Sequence, residues 1–248
     1  MVIQTSKKNQ SIYWAVWLYF LQIPFVYWYA AGLVPFHPIV VMLPLVGLVN
    51  YTVEKHGHTW LGLFDIRPGK AFLLALFFAA CTFCGRLLVL RWESPATLGI
   101  SLPTSFSAPW FLLKELLVSV FILALFEETV NRGFIQTRLQ AAWGFWVVVL
   151  TILMFTSLHV PELMLQYEER QIAIFNPLLR VSLVGFLLSY VYWWTNSLLT
   201  TLAIHGLNNF ATSLFGNLTG GAPGAPGLKT SPLLLIWIFF QVVLAILV

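Results

Sequence analysis

Glu127 and Glu128 stand side by side directly after the unbroken apolar run 116–125. A charge at the centre of a bilayer costs roughly 2.5–3.5 kcal/mol on insertion scales, so an intramembrane acid marks function by default. On a helix Glu128 and Arg132 are four apart and share a face, which lets them pair. Glu127 points about 100° round the helix from Glu128 and is left without that partner. One acid reads as structural, the other as free for chemistry.

The other polar residues in apolar stretches are few. His159 closes the run Phe155-Thr156-Ser157-Leu158-His159, and His205 and Asn209 follow in His205-Gly206-Leu207-Asn208-Asn209. Their i, i+4 spacing puts His205 and Asn209 on one helix face. Glu127 and His159 are equally far along the chain from Trp143, in the turn expected at 140–144. Two regular antiparallel helices joined there carry both to one depth, about 24 Å from the turn at 1.5 Å per residue. His205 and Asn209 lie about 15 and 20 Å from the Thr195-Asn196 turn on the same side. These groups can share one layer.

The chain around them belongs in a membrane. Of its 248 residues 59% are hydrophobic and only 9% charged, against about 25% charged in soluble domains. Backbone polar groups in lipid must be satisfied within the segment, so the spans are helices. The expected fold is one all-α integral membrane domain over 1–248. About eight transmembrane helices form a bundle around an intramembrane polar cavity. The net charge of +4 is not gathered into a basic patch, which argues against nucleic acid as a partner. Cys81 and Cys84 fall inside an apolar stretch and imply no disulfide framework, and His56-Gly57-His58 reads as plain loop.

Hydropathy places spans at 11–34 (kinked at Pro24), 35–50 (broken by Pro38 and Pro44), 71–90, from 110 through the paired acids, 143–159, 178–194, 197–215 and 231–248. The catalytic core is expected within 110–215, the fourth to seventh spans. Polar connections fall at 51–70, 91–109, 160–176 and 216–230. Lys7, Lys8, Lys55, Arg67, Lys70 and Arg138 share one side and Arg91, Arg170 and Lys229 the other. The positive-inside bias then puts the amino terminus in the cytosol, and a plasma (inner) membrane is expected. The cavity is expected to open towards the cytosol.

Glu127-Glu128-x-x-x-Arg132, Phe155-x-x-x-His159 and His205-x-x-x-Asn209, in that order on successive spans, resemble the three motifs of the CAAX prenyl protease and bacteriocin-processing family of intramembrane proteases. The resemblance covers about 114–215. It implies an endopeptidase acting on a peptide or protein in or at the membrane. By that resemblance Glu127 is the general base, His159 helps to orient the water or shuttle its proton, and His205 with Asn209 supplies oxyanion donors. Glu128–Arg132 is the supporting pair and Phe155 walls the pocket. A carboxylate in an apolar cavity is shifted towards the range useful for general base work. Glu127, His159 and His205 also make the ligand set of a catalytic zinc site, so a zinc-dependent version of the protease is the alternative. No H-E-x-x-H is present, and the metal-free reading, with no cofactor, is favoured. A proton-coupled transporter or a non-catalytic membrane scaffold would also bury such residues. No internal repeat of the transporter kind is found.

Overall fold

The computed structural model describes residues 2–35, 37–49, 68–93, 109–166, 174–218 and 243. Among them every regular element is a helix. The expected eighth span (all but residue 243), His56, His58 and the acids 168–169 lie outside the described residues.

Helix α1 (Val2–Ala30) passes through Pro24 and ends at Gly32, whose φ of +70° suits a residue without Cβ. Helix α2 (Ile39–Val49) follows at once. Its 11 residues reach only about 16 Å, half a hydrocarbon core, so the expected second span does not cross by itself. Helix α3 (Pro68–Glu93) is longer than expected at both ends.

The fourth element is a continuous rod of alternating winding. It comprises α4 (Pro109–Leu116), a π segment (Leu117–Ala124), α5 (Leu125–Glu128), a second π segment (Thr129–Gln136) and α6 (Thr137–Trp143). The two acids therefore sit on one short α turn between π-wound stretches. Hence the regular helix assumed from sequence is not what carries them. Such i→i+5 winding is rare and concentrates at functional sites.

The turn expected at 140–144 is present. Gly144, at φ +54°, donates its N–H to the Gln140 carbonyl at 3.0 Å. Helix α7 (Trp146–Gln166) then runs through Pro161, two turns beyond the expected end, so Glu162 is helical rather than in a connection. Helix α8 (Phe175–Thr195) stops at Asn196, whose φ of 50° is left-handed. Helix α9 (Leu198–Leu218) returns.

Two clusters hold these rods together. Ala15, Leu18, Met42, Val46, Phe134, Leu139 and Val147 join α1, α2, the rod and α7. Phe78, Leu187, Leu188, Val191 and Ile204 join α3, α8 and α9. Large apolar residues also point outward, including Trp17, Phe20, Trp110, Trp146 and Leu153, as a lipid-facing surface requires. Trp146–Leu165 and Phe175–Thr195 are the two described helices long and apolar enough to cross a membrane by that measure. Arg138, counted from sequence among the loop cations, is buried with its guanidinium 3.5 Å over the Phe134 ring.

Candidate active site

A buried polar cluster centres on Glu128. It is fully buried, and its Oε1 accepts from Arg132 Nη1 at 3.0 Å and from His205 Nδ1 at 2.7 Å. The Arg132 guanidinium also lies 4.5 Å from the Phe155 ring centroid. A buried guanidinium thus has a carboxylate on one side and an aromatic face on the other, which offsets its desolvation.

Helix α9 delivers His205 through a close approach. A Cβ on Gly206 would come 2.8 Å from the Val120 Cα in the first π segment. Only glycine lets the two backbones pack this tightly, and the imidazole beside it reaches across to the acids. With Nδ1 bound to Glu128, the opposite nitrogen Nε2 faces Glu127 Oε2 at 3.7 Å. Glu127, left without a partner in the sequence reading, has this one. Sequence spacing could not foresee that both acids meet the same ring.

Glu127 keeps 19% of its side chain exposed, whereas Glu128 keeps none. It lines a cavity of about 90 Å³ together with His159, Phe155, Asn131, Gln22 and His37. That volume has room for several waters. Nδ1 of His159 lies 2.9 Å from the Phe155 carbonyl. A carbonyl only accepts, so Nδ1 carries a proton, and in the neutral tautomer Nε2 keeps its lone pair. Phe155 packs against this ring at a tilt of 53°, with centroids 4.6 Å apart. The structure therefore brings Glu127, His159 and Phe155 to one cavity, with His205 behind Glu127. Asn209 lies one turn beyond His205, half-buried, and is not among the cavity's lining residues.

His37 and Glu162 on the cavity wall were not singled out from sequence. His37 lies in the connection between α1 and α2, where only a tertiary contact could reveal it. Burial pushes its pKa below the ordinary histidine range, opposed by the carboxylates of Glu127 and Glu162.

The cavity's exposed lining residues are Tyr29 and Glu162. Tyr19 and Ser157 are hydrogen-bonded, and Gln22 and Tyr29 line the cavity with Leu158 and Glu162. Helices α1 and α7 thus run parallel, and the mouth lies at the end of α1 remote from the amino terminus.

Among the described residues no group of three or more His, Cys, Asp and Glu stands close enough to hold a metal ion. The Glu127–His205 pair offers two donors, one fewer than the three protein ligands of a catalytic zinc site.

Residues 109–211 match the family described as Type II CAAX prenyl endopeptidase, Rce1-like. It agrees with the family that the three motifs resemble, and the matched segment holds all of them. No curated protein and no solved structure matches the chain.

Proposed function

We propose, from the premise that residues 109–211 carry the domain of a type II CAAX prenyl endopeptidase family, that the chain hydrolyses a peptide bond of a membrane-associated substrate with Glu127 as general base. The observation that carries this reading is the contrast between the two acids. Glu128 is buried and committed to Arg132 and His205, while Glu127 is part-exposed on a cavity with room for water.

The chemistry follows from the positions. Glu127 takes a proton from a water in the cavity, and the water oxygen attacks the carbonyl carbon. His159, with its proton held on Nδ1, offers Nε2 as an acceptor that orients this water. The carbonyl oxygen gains charge as the tetrahedral intermediate forms. His205 can donate to it through Nε2 only as the imidazolium, because Nδ1–H is already given to Glu128. Asn209 is assigned the second donor; a donor of this kind contributes about 10²–10³ in rate. The proton held by Glu127 then passes to the leaving nitrogen as the C–N bond breaks.

Mass spectrometry of a farnesylated CAAX peptide and of unprenylated membrane peptides, incubated with the reconstituted chain, tests the reading. Cleavage of either class by the parent chain, retained after exhaustive chelation, is expected. Loss of cleavage on chelation, with recovery on zinc return, would favour the metal version.

A further inference from the structure

Helix α1 lies outside the matched segment 109–211, yet it supplies one wall of the cavity. Gln22, Val26 and Tyr29, at i, i+4 and i+7, line it as one stripe. Exposure rises along that stripe. Gln22 is 4% exposed, Val26 is half-buried and Tyr29 is 43% exposed, so Gln22 is the floor and Tyr29 the rim. One turn before Gln22, Tyr19 is hydrogen-bonded to Ser157, two residues before His159. In parallel helices this tie brings Gln22 and His159 level to within about one residue's rise, ~1.5 Å.

Nε2 of Gln22 is buried and has no hydrogen-bond partner among the described residues. A buried N–H without an acceptor is costly, and a cavity water is the common remedy. The other donors on the wall are engaged. Asn131 gives Nδ2 to the Glu127 carbonyl at 2.9 Å, and His159 gives Nδ1 to the Phe155 carbonyl at 2.9 Å. His37 is only half-buried and holds an interaction of its own. Glu127, Glu162 and Nε2 of neutral His159 offer acceptors, so a donor is what this wall still has to supply.

Counting protons shows what that donor holds. A water between Glu127 and His159 gives one proton to a carboxylate oxygen and the other to the Nε2 lone pair. Two lone pairs remain on its oxygen. One must stay free to attack the carbonyl carbon, and the other can accept from Gln22, which pins the oxygen with three bonds. Size separates this water from the substrate. Pockets that enclose a small ligand run to about 300–1,000 Å³, well above the cavity's volume of about 90 Å³. The peptide therefore lies across the mouth, and a donor on the floor meets the water rather than the substrate.

We propose that Gln22 is a water-binding residue of this site, donating its Nε2–H to the oxygen of the water that Glu127 activates. The amide keeps its proton throughout; the water's proton goes to Glu127, and the free lone pair forms the new C–O bond. The proposal rests on the peptidase reading for the reaction, and it makes α1 part of the catalytic machinery.

The test uses the whole chain in nanodiscs, with a farnesylated CAAX peptide and an unprenylated membrane peptide as probes. Gln22→Met keeps the length and removes the donor, whereas Gln22→Asn keeps an N–H on a shorter stem. Gln22→Met should lower kcat about tenfold or more for the probe that is cut, since misplacing a reacting atom is expensive. Kd, read in a Glu127→Gln background, should stay within about twofold of the parent's, and Gln22→Asn should recover part of kcat. Gln22→Met should melt no lower than the parent, because an apolar group of the same shape is close to neutral there. A cryo-electron microscopy map of the parent, fine enough to show waters, should place one within about 3.2 Å of Gln22 Nε2, Glu127 and His159.

A kcat within twofold of the parent's in a folded Gln22→Met variant would overturn the proposal. So would a marked fall in melting temperature in both variants, which would make Gln22 a structural residue. A weaker Kd at constant kcat would make it a substrate contact and overturn the proposal too. A parent that holds the water on Gln22 but cuts neither probe would sink the peptidase reading and leave Gln22 as the holder of a buried water. A parent that cuts, with no water in reach of Gln22, would do the reverse, and one that shows neither counts against both.

Discussion

Nδ1 of His205 lies 2.7 Å from Oε1 of Glu128, and this bond turns the ring so that Nε2 faces Glu127 at 3.7 Å. Glu128 therefore does more than hold Arg132. It fixes which nitrogen of His205 looks towards the reacting acid, the role a carboxylate behind a histidine plays in many sites. One imidazole links the buried, structural acid to the acid on the cavity.

Glu128→Ala should lower stability and activity together. The change strips the carboxylate from a buried Arg132 and frees His205, and breaking a buried pair from one side costs about 3–5 kcal/mol. Thermal melting in detergent should show a large drop. A melting curve unchanged from the parent would mean that Arg132 has found another partner.

Gly206→Ala should disturb the site without removing any polar group. Its Cβ would meet the Val120 backbone at 2.8 Å, so α9 must move off the π segment. Overpacking of this kind costs about 1–3 kcal/mol. His205, the next residue, would shift with the helix, and activity should fall at least tenfold. Activity equal to the parent's in a folded Gly206→Ala variant would count against the helix approach as the positioning device.

The mouth and the amino terminus should lie on opposite sides of the membrane. With Cys81 and Cys84 replaced, a cysteine at Glu162 and one added before Val2 can be labelled from outside intact cells by an impermeant thiol reagent. One should react and the other should not. Which of the two reacts then fixes the side on which the substrate chain is presented. Labelling of both from the same side would contradict the parallel course of α1 and α7.

Much of this was legible because intramembrane polar residues are costly and few. The spacing of Glu128 and Arg132 gave their pair, and the glycine turn at Gly144 gave the hairpin. What spacing could not give was set by tertiary contacts. The π winding on either side of Glu127 has no simple sequence signature. Helix α7 continues past His159 because Pro161 is tolerated there, so hydropathy placed Glu162 in a loop. His37 falls beside Pro38 at the start of the expected second span, where hydropathy gives no sign that it lines a cavity with Glu127. Arg138 misled the charge count because its stem and guanidinium pack on Phe134 instead of reaching water.

The central claim is that Glu127 activates the water. Cleavage of a membrane peptide by the purified, reconstituted chain and by Glu127→Ala, read by mass spectrometry, tests it most directly. The account predicts turnover by the parent chain and none by a Glu127→Ala variant that melts at the parent's temperature. Full turnover by that folded variant would contradict it.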